Sequence, residues 1–401
     1  MPRMTIETRL RLRAAENARV GLQRDSAVLR DAAVGPLVRL AGRHFLSFVT
    51  NDSLGLASDP AWRAAVGRCF ALHAPSGRAS RLAGGRSALA DEAEQAFADY
   101  FGFAECLFFP SGYQANLAAV TALLPRGHDA FVDRRVHASV ARALPLAGAH
   151  MHAAPHNDIA RLRRRLAALP AAAPQPVIVG ESLFSMDGDS PDIPALAALC
   201  RDFEAFLLLD EAHALGAWGP GGRGFACGDG RGGAPSAHAV VGTLGKALGF
   251  WGAFLLLPRG FRSLVEENAS AVMHSTTLPE AHAAACLELI RRLPRQDEKR
   301  ARLHANCALF RRLLRERDIP ARGRAHIVAV PTGDENRALQ LARALREAGI
   351  LALAARYPTV PCNDALLRFS VTALHTPQML RITADTLARL LHSGEHASPQ
   401  A

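Results

Sequence analysis

Two stretches decide the fold: AFLLLDEAHALG at 205–216 and HAVVGTLGKALG at 238–249. Each opens with a short apolar run and then turns abruptly to polar residues and glycine. Runs of this length, apolar without alternation, predict strands buried on both faces, and therefore a mostly parallel sheet covered by helices. ECLFFPSG (105–112) and PVIVGES (176–182) repeat the pattern. Helical segments alternate with them: ADEAEQAFADYFG (90–102) with Gly102 as its stop, NLAAVTALL (116–124) and IPALAALCRDFE (193–204). The expectation is an α/β chain with a large domain over 51–284 built on a mostly parallel sheet.

Outward from that centre, the pattern changes after about residue 285. HIVAVPTG (326–333), NRALQLARALREAG (336–349) with Gly349 as a stop, and ILALAARY (350–357) predict strand, helix and strand. LLRFSVTAL (366–374) follows, and Thr376 with Pro377 marks the start of a last helix. Residues 285–401 are thus expected to form a smaller α+β domain. Residues 1–50 predict an amphipathic arm leading into the strand HFLSFVT (44–50). The glycine-rich stretch 219–235 predicts a flexible loop inside the large domain.

Composition narrows the function classes. Apolar residues make up 49% and charged residues 21% of the 401 residues, a globular balance. No uncharged apolar run is long enough for a membrane helix, and the charged start lacks the apolar core of a secretory signal. A cytoplasmic enzyme without a membrane partner is the expectation. The net charge is +10, but the arginines recur along helical segments and aromatics are only 6%, which argues against nucleic acid. Seven scattered cysteines, never spaced as CxxC, suggest reduced thiols. No metal is expected, because His150, His152 and His156 lack an accompanying cysteine or carboxylate pattern in the sequence.

Lysine is almost absent: only Lys246 and Lys299 occur. Arginine can replace lysine as a charge, but it stays protonated and attacks carbonyls poorly. Lys299 lies in the charged run RQDEKRARLH, an ordinary helical face. Lys246 lies among glycines and apolar residues, where it is either a snorkelling side chain or a reactive amine.

The other polar interruptions fall at strand ends, where ligands bind in open parallel sheets. Asp210 and His213 follow AFLLL; Glu181 and Ser185 follow PVIVG; Thr243 and Lys246 follow AVV; Ser111 and Gly112 follow ECLFFP. An amine, a carboxylate, a histidine and small donors at one crevice suit pyridoxal phosphate. That cofactor needs a lysine, an acidic partner for its ring nitrogen and neutral donors for its phosphate. Asp210 alone would equally be a helix cap, and Ser111 a plain N-cap. A nucleotide P-loop is excluded, because only two residues separate Gly242 from Gly245 and Ala247 follows the lysine.

These residues resemble the α-oxoamine synthases, a family of fold-type I pyridoxal-phosphate enzymes, which implies a large-domain sheet of the seven-stranded type. NDSLGLA (51–57), FPSGYQAN (109–116), DRRVHASV (133–140), HND (156–158), ESLFSMDGD (181–189), DEAHALG (210–216), TLGKALG (243–249), STTLPEA (275–281) and YPTVP (357–361) follow in the family's order. The resemblance implies that Lys246 holds the cofactor and moves the α-proton. Asp210 would pair the ring nitrogen, His137 would stack on the ring, and His213 with Ser185 would contact its 3-oxygen. Gly112, Tyr113 and Thr243 would bind the phosphate, with Thr276 or Thr277 reaching across from the partner of a homodimer. Glu181 would orient the site, Arg356 would pair the substrate carboxylate, and Asn51 would lie near the thioester entrance.

The implied reaction is a decarboxylative condensation of a small amino acid, alanine favoured, with an acyl thioester of coenzyme A or an acyl carrier protein. The biotin-pathway branch is the first reading. Quorum-sensing α-aminoketone synthases, glycine-using synthases and fold-type I aminotransferases are the alternatives. Departures from the family bear on the substrate: Ser53 replaces the tyrosine of NDYLG, and the usual GSGGSR stretch appears as APSGRASRLAGGRS (74–87).

Overall fold

The computed structural model describes residues 4–19, 32–228 and 233–393. Residues 1–3 and 20–31 of the expected arm, 229–232 of the glycine-rich loop and 394–401 lie outside the described residues.

The central sheet has seven strands, in the spatial order Glu105–Phe109, Ala253–Leu257, Ala239–Thr243, Phe206–Asp210, Val177–Glu181, Asp129–Asp133, His150–Ala154. Ala253–Leu257 runs antiparallel to both neighbours, and the pairings from Ala239–Thr243 through to His150–Ala154 are all parallel. The exception follows from connection length. Residues 244–252 are too few for the crossover of a dozen or more residues that a parallel return requires. Three strands carry weaker sequence signals than the four expected. DAFVD and HMHAA are interrupted by polar residues, and AFLLL at 253–257 follows its neighbour without an intervening helix.

Burial on both faces is borne out by the alternation of side chains. Leu207, Leu209 and Val240 enter one core cluster, with Ile178 and Phe254; Phe206, Leu208, Ala239 and Val241 enter the other, with Val177 and Val179. Each of the larger side chains among them contributes about 1.5–3 kcal/mol by leaving water. Helix starts are fixed by side-chain caps at Ser87, Ser111, Asp158 and Asp192, and Gly102 ends Ala88–Phe101 with φ +81°.

The C-terminal region holds a three-stranded antiparallel sheet, ordered Ile327–Gly333, Ala365–Ser370, Leu353–Ala355. The expected boundary at 284/285 falls inside the helix Glu280–Arg292, which packs on Pro60–Leu72 and Ala88–Phe101. A cut there would sever one helix. Within the expected arm the described residues form a helix and a hairpin. Helix Ile6–Arg19 buries none of its residues, whereas Leu37–Leu40 and Arg43–Ser47 form a hairpin. That hairpin is extended by Ile350–Leu351, which pairs in parallel with Arg43–Ser47. Among the described residues, no helix is long and apolar enough to cross a membrane.

Candidate active site

The register of the central sheet brings the strand-end residues together. Glu181 lies opposite Asp210 on adjacent strands, and Asp210 lies opposite Val241, two positions before Thr243. Lys246 follows in the next turn. That turn is docked on the segment that follows Asn51: Trp62 Nε1 donates to the Gly249 carbonyl at 2.9 Å. Gly249 has φ +59°, and a Cβ there would lie 2.5 Å from the Ala57 nitrogen and from Leu56 Cβ. Only glycine meets both demands.

The electrostatics of the cluster follow from its burial. Burial lowers the pKa of half-buried Lys246 to about 8, against the pull of Asp210 and Glu181, while nearby Arg368 lowers it further. Burial pushes Glu181 well above the usual carboxylate range, with Asp210 adding to the effect and Lys246 opposing it. Burial holds His213 well below an ordinary imidazole, helped by Lys246 and Arg368. These shifts keep the His213 ring neutral at neutral pH and disfavour charge on Glu181. Asp210 accepts on both oxygens: from the Ala212 amide at 2.8 Å and from Asn116 Nδ2 at 2.7 Å.

Two buried atoms test whether the cofactor fits. Glu181 Oε1 and His213 Nδ1 have no hydrogen-bond partner, a costly condition unless another group completes them. At the adjoining helix tip, Ser111 caps Gly112–Leu123 by accepting from the Gln114 amide at 3.3 Å. The amides of Gly112 and Tyr113 precede the first intrahelical bond and face outward in the manner that suits a phosphate. A Cβ on Gly112 would stand 3.8 Å from Thr243 Cβ, so helix tip and lysine strand are neighbours. The Thr243 hydroxyl itself donates to the Gly252 carbonyl and accepts from the Gly245 amide, both at 3.2 Å. An amine of lowered basicity, an acceptor pair on Asp210, orphaned buried groups and an open helix tip fit pyridoxal phosphate.

The remaining expected residues are placed as follows. His137 caps helix Ala138–Ala147, its Nδ1 lying 2.8 Å from Ser139 Oγ, and its own amide donates to Glu181. Asn51 Oδ1 accepts from Arg368 Nη2 at 3.0 Å, and the Ser185 carbonyl accepts from Arg368 Nε. Arg356 is half-buried just beyond strand Leu353–Ala355, before a cis Tyr357–Pro358 bond. Thr276 lines a recess with Arg81, Gln114 and His282, its backbone bridging to Ser80 of the 74–87 stretch.

Four residues of the site carry little sequence signal. Asn116 and Ser139 hold Asp210 and His137 through side-chain bonds, and His326 is buried near His213 with its ring centroid 6.2 Å away. Arg368, 4% exposed between Leu367 and Phe369 in strand Ala365–Ser370, is the most legible of them, because an arginine inside an apolar run needs a partner. The histidines also gain carboxylates the sequence spacing hides. His152 pairs with Asp129 at 2.6 Å, and His156 lies between Asp133 at 3.0 Å and Asp189 at 2.8 Å. Burial opposes charge on His156, but the two carboxylates overcome it and raise its pKa to about 9.

Comparison with known proteins finds relatives along almost the whole chain. The profile of the family described as aminotransferase class I and II matches residues 43–387. An 8-amino-7-oxononanoate synthase of Aromatoleum aromaticum is 39% identical over 88% of this chain and 91% of its own length. One from Methylobacillus flagellatus is 35% identical over 95% of both chains. A solved serine palmitoyltransferase from S. paucimobilis, with PLP and myriocin bound, superposes with a TM-score of 0.87 at 26% identity, covering 96% of this chain and 97% of that one.

Proposed function

Because the chain belongs to the aminotransferase class I and II family, and within it to the pyridoxal-phosphate-dependent α-oxoamine synthases, we propose that it condenses alanine with a pimeloyl thioester. The products would be 8-amino-7-oxononanoate, carbon dioxide and free thiol. The observation that carries the chemistry is Lys246, an amine brought to about pKa 8 beside Asp210 and Glu181. Relatives at 35–39% identity bearing that activity in their names support the choice of substrates.

Lys246, Asp210, His137, His213, Ser185 and the helix tip at Gly112 and Tyr113 would hold the cofactor, with Thr243 beside them. When bound, the cofactor supplies an electron-poor ring that stabilises negative charge at the α-carbon of the amino acid. Lys246 has the basicity to take a proton near neutral pH and return it. Asp210, held as an acceptor by contacts to both oxygens, would pair the ring nitrogen. His213, kept neutral by burial, can share a hydrogen bond without adding charge, and burial disfavours charge on Glu181. Arg356 and the Asn51–Arg368 pair would receive the substrate carboxylate and the thioester side of the site. We read the active unit as a homodimer in which Thr276 serves the neighbouring site.

The test mixes carboxyl-labelled alanine with pimeloyl-coenzyme A and pimeloyl-carrier thioesters, recording thiol and labelled carbon dioxide. Both should appear one for one, and only with both substrates present. Turnover with a longer acyl chain and a larger amino acid, but none with these, would move the protein to the signalling α-aminoketone branch. Pyridoxamine phosphate formed without thiol would make it an aminotransferase. Sedimentation of the active species at monomer mass would remove the shared site.

A further inference from the structure

Two buried residues outside the expected set connect Asp210, which would pair the ring nitrogen, to His137, which would stack on the ring. Asn116, 3% exposed on helix Gly112–Leu123, sends Nδ2 to Asp210 Oδ2 at 2.7 Å and to Ser139 Oγ at 3.0 Å. Ser139, wholly buried in the first turn of Ala138–Ala147, places Oγ 2.8 Å from His137 Nδ1. The Ser139 amide also points at that nitrogen, at 3.3 Å.

The direction of every proton in this chain is fixed by its acid end. Asp210 can only accept while ionised, so the Asn116 atom facing it is the amide nitrogen; the flipped amide would set oxygen against oxygen. The same NH2 group spends its second proton on Ser139 Oγ. That oxygen, having accepted, has its own proton left to donate, and His137 Nδ1 is within reach. Nδ1 therefore accepts twice, from a hydroxyl and from an amide, and a neutral ring carries its proton on Nε2.

We propose that Asn116 and Ser139 are positioning residues that orient Asp210 and His137 before the cofactor arrives. Asn116 holds Asp210 as an oriented acceptor, and Ser139 passes that polarity on to set the His137 tautomer and ring plane. The inference rests on the cofactor-binding reading of Asp210 and His137, but not on the identity of either substrate.

The test begins with cofactor-free protein carrying ¹⁵N-labelled histidine. At neutral pH the His137 ring should show a protonated Nε2 and an unprotonated Nδ1. A ring protonated on Nδ1 overturns the proposal. Ser139→Ala should mix the two tautomers and loosen the cofactor, while Ser139→Thr, which keeps the hydroxyl, should restore both readouts. Asn116→Ala should weaken cofactor binding by about 10- to 100-fold, the range seen when a residue orienting a ligand's partner is removed. If Asn116→Ala fails to fold, the Ser139 pair decides. Ser139→Ala with wild-type tautomer and wild-type cofactor affinity would refute the chain. Loss of the proposed condensation activity with these readouts intact would instead count against the substrate assignment.

Discussion

Lys246 is the residue on which sequence and structure converge most directly. Its prominence in the sequence comes from depletion: with arginine in nearly every other basic position, a lysine kept among glycines stands out. The structure adds the lowered pKa of about 8, caused first by burial. Since only the neutral amine attacks an aldehyde, cofactor capture by apoprotein should speed up as pH rises through about 8. A rate flat from pH 6 to 9 in stopped-flow absorbance would contradict this placement. Asp210→Asn should keep the fold, since asparagine can still accept from Ala212, yet turnover should fall roughly 100-fold or more, as when a site loses one preorganised electrostatic partner. Steady-state assay beside an unchanged circular dichroism spectrum checks it. Asn116 was not legible in the same way. In SGYQAN it looks like any polar residue in a helix, and only the strand register shows that its amide meets Asp210.

At the scale of elements, the strands that matter were legible because their ends break the apolar pattern. AFLLLD and AVVGT announce both a buried strand and the polar residue that the strand delivers. DAFVD and HMHAA do not, because the partners of their polar residues come from elsewhere in the chain: His152 pairs with Asp129 across the two strands, and Asp133 pairs with His156 in the turn beyond HMHAA. The lysine turn offers a sharper case. Gly249 and Gly260 both have positive φ, +59° and +83°, but an added Cβ is crowded at Gly249 and meets nothing within 4 Å at Gly260. Gly260→Ala should cost about 1–2 kcal/mol of backbone strain alone. Gly249→Ala should cost more and also displace the 56–57 segment, moving Lys246. Denaturant melts should rank the two, and cofactor retention should drop only for Gly249→Ala. Equal loss of cofactor in both would show that the close approach at Gly249 is immaterial.

For the molecule as a whole, the active-site rim is tied to the C-terminal region by charge. Arg135, two residues before His137, pairs with Asp187 and Asp364, and Arg322 joins the same two carboxylates at 3.1 and 2.8 Å. The sequence gives no hint of this arrangement, since the four residues are scattered from 135 to 364. Arg322 is 42% exposed, so its contribution is modest. Arg322→Ala should lower stability by about 1 kcal/mol or less, and the difference from wild type should shrink near 1 M salt, where screening acts over about 3 Å. Urea melts at low and high salt measure both; a loss that salt leaves unchanged would point to packing rather than charge.

The pairing of Leu46 with Ile350 imposes an order in time as well as in space. As the chain leaves the ribosome, the hairpin around Arg43–Ser47 emerges early, yet the strand that completes its sheet is among the last to be made. At about 5–20 residues per second, the wait is on the order of tens of seconds. For that interval the hairpin has an open edge that any passing strand could occupy. Chains stalled short of residue 350 should therefore be cut by protease near the hairpin, and chains stalled well beyond it should be protected. Biosynthesis at high chain density would then be the condition under which this protein is most exposed to aggregation.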